Sequence, residues 1–194
     1  QGAVRHGTDF RVTLWANQRS QQLRFKVMAR MFDFTGKRVL DAGCSRGDFA
    51  AYLIEQGVAF ERFIGVDGLP EVIDFANSRG LANCAFHAGD FVRDPGLLRI
   101  EDPHIIAISG SLNTMTESQA LTVLDAAWQA CGEALMFNFL SDSCGPNAVP
   151  QQYPARRLPT MILLAWALKQ TPLVVYRQDY FPHGHDGTVL MRRT

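Results

Sequence analysis

Val39-Leu40-Asp41-Ala42-Gly43-Cys44-Ser45-Arg46-Gly47-Asp48-Phe49, followed by Gly65-Val66-Asp67-Gly68, decides how this chain folds. An apolar strand runs into a turn of small residues, the turn opens a helix, and a second apolar strand ends on an acid. Gly43 and Gly47 permit a sharp bend and leave room for a ligand against bare peptide N–H groups. Those N–H groups begin a helix, whose dipole favours an anion. Asp67 follows Gly47 by 20 residues, about where a βαβ unit sets the carboxylate that holds a ribose. Turn and acid together predict a site for a nucleoside with a negatively charged tail.

Two familiar nucleotide motifs do not fit. Aligned at Gly43, the dinucleotide pattern Gly-x-Gly-x-x-Gly meets Ser45 and Asp48 in place of its later glycines, which disfavours NAD and FAD. The phosphate loop Gly-x-x-x-x-Gly-Lys-Ser/Thr is missing too. The run from Asp41 through Gly43, Ser45 and Gly47 resembles motif I of the class I S-adenosylmethionine (SAM) methyltransferases, an acid followed by Gly-x-Gly-x-Gly. Ser45 replaces the middle glycine. SAM suits the physical reading, with adenosine for Asp67 and the amino-acid carboxylate and ammonium for Asp41, Gly43, Cys44, Ser45 and Gly47.

The resemblance continues in order from about Ser20 to Asp142. Asp67-Gly68-Leu69 resembles the loop after strand two, implying that the acid grips the ribose hydroxyls and the next residues flank adenine. Gly89-Asp90-Phe91 resembles the loop after strand three, implying Asp90 on the adenine amino group and Phe91 over the ring. The stretch 105–113 (Ile-Ile-Ala-Ile-Ser-Gly-Ser-Leu-Asn) resembles strand four and its catalytic-side loop, with Ser109 and Gly110 beside the cofactor. Residues 135–141 resemble strand five. Ser20-Gln21-Gln22-Leu23-Arg24-Phe25 resembles a leading helix, from which Gln21 and Arg24 would reach the cofactor carboxylate through a charge-assisted pair. The alternative for both is a solvated helix face. The implied fold is an α/β, doubly wound, Rossmann-like sheet of seven mostly parallel strands, the last antiparallel, with helices on both faces.

The chain has 194 residues, 47% of them apolar, and 19 basic against 19 acidic side chains. That predicts one domain with a substantial core. Its expected parts are an N-terminal helical cap (1–35), a cofactor-binding core (36–142) and a substrate-side helix with a closing hairpin (143–194). Zero formal charge weighs against RNA or DNA as partner; the basic pairs are Arg156-Arg157 and Arg192-Arg193. Cys44, Cys84, Cys131 and Cys144 show no paired spacing and fit reduced thiols, with Cys44 a small turn residue rather than a reactive one. No signal peptide is evident, so the expected location is cytoplasmic. Because the chain starts at Gln1 rather than Met, its true N-terminus is expected upstream. The apolar run 161–168 is too short to span a membrane, and a homodimer is left open.

Strands and helices alternate regularly. Helices are expected at 17–32, 48–56, from Pro70 to a stop at Gly80, from the capping box Thr116-x-x-Gln119 to about 130, and at 155–170. Strands are expected at 38–42, 62–66, 84–87, 104–109 and 133–140. A hairpin formed by 173–178 and 188–192 would close the sheet. Such alternation implies parallel strands with right-handed crossovers.

Ligands of such sheets sit beyond the carboxyl ends of strands, where the strand order reverses. The resemblance implies that strands one to three carry the cofactor and strands four and five the acceptor. The residues expected at the methyl site are Asn113, for orienting the substrate, and Asn138 and Asp142. Competing readings are an Asn113 amide bonding nearby backbone and an Asn138 amide satisfied within the core. His104 is expected to be structural, and His87 a surface or core histidine. His183-x-His185-Asp186 is expected at a solvated hairpin tip rather than on a metal. Tyr153 and Trp166 could wall the acceptor pocket, with plain packing favoured for Trp166. Asp142 lacks the Asp-Asn pair of catechol-type enzymes, so no metal is expected, and the Asn/Asp-Pro-Pro-Tyr loop of many N-methyltransferases is absent. The favoured function is methyl transfer from SAM to an O or N atom of a small organic acceptor. RNA or protein methylation and a non-catalytic nucleoside-binding module are the alternatives.

Overall fold

The computed structural model describes residues 18–194. The expected start of the first helix, and the first half of the expected cap, lie outside the described residues. The elements are α1 (Gln18–Met31), β1 (Arg38–Ala42), α2 (Asp48–Glu55), β2 (Arg62–Asp67), α3 (Pro70–Ser78), β3 (Cys84–Ala88), β4 (Ile105–Ser109), α4 (Glu117–Ala130), β5 (Ala134–Leu140), α5 (Thr160–Gln170), β6 (Val174–Arg177) and β7 (Asp186–Arg192). Short 3-10 turns occupy Pro95–Arg99 and Ser111–Thr114.

The seven strands form one sheet in the order β3-β2-β1-β4-β5-β7-β6. Neighbours from β3 to β5 are parallel, and β7 runs antiparallel to both β5 and β6. The chain lays strands outward from β1 to β3, then returns to β4 on the other side of β1. Order reverses there, so the carboxyl ends of β1 and β4 splay into a fork.

Helices cover both faces, which is why β4 and β5 are nearly continuous apolar runs rather than alternating ones. Leu124, Trp128, Leu163 and Ala167 from α4 and α5 pack with Leu40, Ile106, Leu135 and Phe137. Phe25, Met28, Phe49, Leu53 and Ile73 from α1, α2 and α3 pack on the opposite face with Val39, Phe63 and Ala107. Alternation along β1 therefore aims Asp41, like Val39, at the face beneath α1 and α2.

Local signals behaved as their chemistry dictates. Pro70 stands at the start of α3, where its missing N–H costs nothing. Thr116 and Gln119 form a reciprocal capping box on α4. His104 Nδ1 accepts from the Arg38 N–H at 3.0 Å, a structural role at the end of the sheet away from the fork.

Two expectations need correcting. The last helix begins at Thr160, not at 155, because Leu158 precedes Pro159 and is held extended. Leu158 instead bridges to Ser141, its N–H donating to the Leu140 carbonyl at 2.8 Å. The hairpin tip is solvated at Pro182 and His183 as expected, but not at its base: Asp186 opens β7 and is 0% exposed.

Candidate active site

The turn after β1 has the sharp bend that its glycines predict, with φ of 84° at Gly43 and 70° at Gly47. A Cβ at Gly43 would fall 1.7 Å from Ser111 Oγ, and one at Gly47 2.6 Å from Phe86 Cζ. The space left by both glycines is thus taken partly by the protein's own side chains. The N–H groups expected to be bare are also engaged. Gly43 and Cys44 donate to the Val66 carbonyl at 2.7 and 3.1 Å, and Gly47 to that of Cys44 at 3.0 Å. Ser45 donates to Asp67 Oδ2 at 2.9 Å. Backbone pairing of β1 with β2 simply continues into the turn, so the turn is built as a fixed scaffold rather than as an open anion cradle. Ser45 adopts φ 48°, the left-handed region in which a glycine would sit without strain.

Arg79, which the sequence reading passed over, clamps this turn from the end of α3. Its guanidinium donates to the Arg46 carbonyl at 2.7 Å and to Asp48 Oδ1 at 2.8 Å. Gln21 of α1 reaches the same Asp48 carboxylate at 3.4 Å.

Three acids gather at the fork. Asp41 is 2% exposed, and its Oδ1 is buried without a hydrogen-bond partner. Burial, reinforced by the charges of Asp67 and Asp48, pushes its carboxyl up to about 8. Asp67 lies at the end of β2, its Oδ1 accepting from the Leu69 N–H at 3.1 Å and its Oδ2 from Ser45. Burial raises this carboxyl as well, against the lowering effect of the N–H groups of Ser45, Leu69 and Gly68. Gly68 is exposed, and a Cβ there would meet nothing within 4 Å. Burial drives the Cys44 thiol well above its ordinary range, with Asp41 adding to it, so Cys44 is an inert packing residue of the turn.

Beyond β3, Asp90 closes its own loop. Its Oδ1 accepts from the Val92 and Arg93 N–H groups at 3.0 and 3.3 Å, and Arg93 pairs with it at 3.4 Å. Phe91 is buried among the residues of the α4 face.

The two asparagines tie the ends of β4 and β5 together. Asn138 Oδ1 accepts from the Gly110 N–H at 2.8 Å, and its Nδ2 reaches Ser109 Oγ at 3.4 Å. Asn113 Oδ1 accepts from the Leu140 N–H at 2.7 Å. Ser111 Oγ donates to the Ala42 carbonyl at 3.1 Å, tying the β4 loop to the β1 turn. Asp142 Oδ1 accepts from the Thr160 N–H at 2.9 Å and the Ser143 hydroxyl at 3.1 Å. Slight burial raises its carboxyl, but the bonds from Thr160 and Ser143 outweigh that and hold it below the usual range. It caps the start of α5 as an ionised acceptor.

Arg24 does not stand open toward the fork. Its Nε and Nη2 form a bidentate pair with the two oxygens of Asp186, and its guanidinium lies 5.1 Å from the Phe181 ring centre. His185 stacks on Phe181 with ring centres 4.4 Å apart. Trp166 is an α5–α4 contact, its indole N–H donating to Asp125 at 2.6 Å. Tyr153 is 84% exposed on the loop before α5. That loop, whose composition marked it only as irregular, supplies Arg157, which donates to the carbonyls of Ser141 and Val149 at 2.8 Å each.

No curated protein sequence matches this chain. Solved structures share its fold. Magnesium protoporphyrin IX methyltransferase from Synechocystis PCC 6803, with bound SAH, is 14% identical over 97% of this chain and 87% of its own, at a TM-score of 0.67. An O-methyltransferase family protein from Burkholderia thailandensis is 17% identical over 100% and 63%, at 0.72. A small RNA methyltransferase is 14% identical over 90% and 25%, at 0.70. The family described as methyltransferase domain matches residues 33–134, from the end of α1 to the first residue of β5, and so takes in the turn, the acids and the fork. On that match, which spans just over half of the sequence, the chain belongs to the methyltransferase domain family of the class I S-adenosylmethionine-dependent superfamily.

Proposed function

We propose that this methyltransferase transfers the methyl group of SAM to an oxygen or nitrogen of a small organic molecule in the cytoplasm. The observation that carries the cofactor assignment is Asp41, a buried carboxylate at the fork with one oxygen unpartnered. Such a group costs several kcal/mol to ionise in place unless a cation meets it, and the α-ammonium of SAM is a cation of the right size. Asp67 takes the ribose hydroxyls, with Gly68 and Leu69 beside the base, and Gly43, Cys44, Ser45 and Gly47 form the floor. Ser109 and Gly110 border the methionine end, and Asp90 and Phe91 the adenine end. Arg24 acts here by holding α1 over the fork through Asp186.

The bound cofactor supplies an electrophilic methyl group on a sulfonium, with a neutral thioether as leaving group. Nothing need protonate that leaving group, so the protein's part is to hold acceptor and methyl in line. Orientation of this kind is worth up to about 7–11 kcal/mol in well-placed systems. Asn113, Asn138 and Asp142 contribute by fixing the loops around the acceptor, each through backbone bonds described above.

Isothermal titration with S-adenosylhomocysteine tests the reading. Wild type binds it, while Asp67→Ala weakens binding by about 10- to 100-fold through the lost ribose bonds. Equal binding by both proteins overturns the assignment. RNA or protein as acceptor is the second reading, and a chain with 19 basic and 19 acidic residues gives it little electrostatic support. Salt-dependent association with RNA would favour it.

A further inference from the structure

The loop from β5 to α5 does more than connect. Residues 140 and 142 of the β5 end point their backbone groups to the side opposite residue 141. Ser141 N–H donates to the His185 carbonyl, on the β7 side, whereas Leu140 N–H meets Asn113 and Asp142 N–H meets the Leu158 carbonyl. Leu158 and the residues before it therefore lie on the β4 side, in the line that β4 vacates after Ser109. Arg156 is fastened there by its own N–H, which donates to the Asn113 carbonyl at 2.8 Å. Its side chain is exposed and makes no hydrogen bond or ion pair with any described residue.

Most other charges around this end of the sheet are engaged; in the cofactor turn itself Asp41 keeps an unpartnered oxygen, and the Arg46 guanidinium lies 4.7 Å from the Phe75 ring centre with its Nε unpartnered. Arg157 is spent on backbone carbonyls, and Arg24 and Asp186 pair with each other. Arg177 pairs with Asp179 at 2.9 Å, and the Asp142 carboxylate caps α5. Arg156 thus carries an exposed guanidinium without an ion pair from a backbone position that is itself hydrogen-bonded to the β4 loop at Asn113.

We propose that Arg156 is a specificity-determining residue that pairs with a carboxylate on the methyl acceptor, which makes the acceptor a small carboxylic acid. This rests on the methyl-transfer reading above. A guanidinium offers two parallel N–H donors that match a carboxylate, and its fixed backbone lowers the entropy lost on pairing. The carboxylate holds the acceptor at the β4 end while its hydroxyl or amino group faces the fork.

The test is transfer of labelled methyl from SAM to a panel of small hydroxy and amino acids, each paired with its primary amide. Wild type favours the acids, with kcat/KM at least 10-fold above the amides. Arg156→Ala raises KM for the best acid by about 10- to 100-fold with kcat little changed and erases the preference over the amide, and Arg156→Lys restores part of it. Amides accepted as well as acids, an unchanged KM in Arg156→Ala, or no acid methylated by a protein that binds S-adenosylhomocysteine would each overturn the proposal. Failure of wild type to bind S-adenosylhomocysteine strikes instead at the methyl-transfer reading itself. Because the exposed Arg156 side chain makes no hydrogen bond or ion pair with any described residue, all three proteins should unfold at nearly the same urea concentration.

Discussion

Arg24 in α1 and Asp186 at the head of β7 are 162 residues apart in sequence and form a bidentate pair, 5% and 0% exposed. The pair fastens the leading helix to the far side of the sheet, while Gln21 one turn earlier reaches Asp48 beside the cofactor turn. One helix is thereby held to both halves of the site. Removing one partner of a buried pair costs far more than removing both, because a lone buried charge is left. Arg24→Met should lower unfolding stability by about 3–5 kcal/mol, and Arg24→Met combined with Asp186→Leu should recover most of it. Urea titration of the two variants checks this, and an equally unstable double variant would refute the account.

The buried carboxyl of Asp41 makes stability and cofactor binding depend on pH in opposite senses. Its native value of about 8 lies above the unfolded value near 4. Between the two, the unfolded chain has released the proton and the native protein keeps it. The stabilising contribution is therefore complete below about pH 4 and is lost as pH rises to about 8, at up to about 1.4 kcal/mol per unit. Urea midpoints at pH 5, 6, 7 and 8 should show wild type losing ground to Asp41→Asn. Binding a ligand ammonium favours the ionised form, so S-adenosylhomocysteine should displace up to one proton below pH 8. Calorimetry at pH 7 in buffers of different ionisation enthalpy measures that release; heats that do not depend on the buffer would exclude it.

Ser45 stands at φ 48°, a conformation that costs a side chain of this kind about 1–2 kcal/mol. Ser45→Gly relieves that cost but adds freedom to the unfolded chain, so a net gain of about 0.5 kcal/mol is expected. Ser45→Val, β-branched, should lose about 2 kcal/mol. Thermal melts of both variants give the order, and a Val variant as stable as the Gly variant would contradict the strained turn.

Asn113 accepts the Leu140 N–H at 2.7 Å. Asn113→Ala leaves that donor unmet and should cost about 1–3 kcal/mol in urea unfolding. Binding of S-adenosylhomocysteine should stay within about threefold of wild type, since the amide faces β5 rather than the cofactor acids. A stable variant with lost cofactor binding would reverse these roles.

Much of this molecule was legible from local chemistry. The run from Val39 to Phe49 and the acid at Asp67 indicated a β-turn-α-β unit, and Pro70, Thr116 and Gln119 marked two helix starts where they occur. The mostly apolar stretches of β4 and β5 announced strands covered on both faces. The start of α5 was misjudged because composition made 155–158 look helical, whereas Leu158 gains a backbone partner beside β5. Asp186 at the base of the tip is buried instead of solvated, because its partner Arg24 sits at the other end of the sequence, where no local pattern could show it.

What the sequence determined by itself is the order of elements and the position of the two acids along the chain, because periodicity, capping and turn chemistry act over a few residues. What only the tertiary structure decided is which polar groups remain unspent. The Val66 carbonyl took the N–H groups of Gly43 and Cys44, the Asp67 carboxylate took that of Ser45, and Asp186 paired with Arg24. Packing left one oxygen of Asp41 and the Nε of Arg46 buried without a hydrogen-bond partner, and the exposed guanidinium of Arg156 without an ion pair. Whether a donor or a charge is spent depends on neighbours brought together by folding, and no local pattern records them.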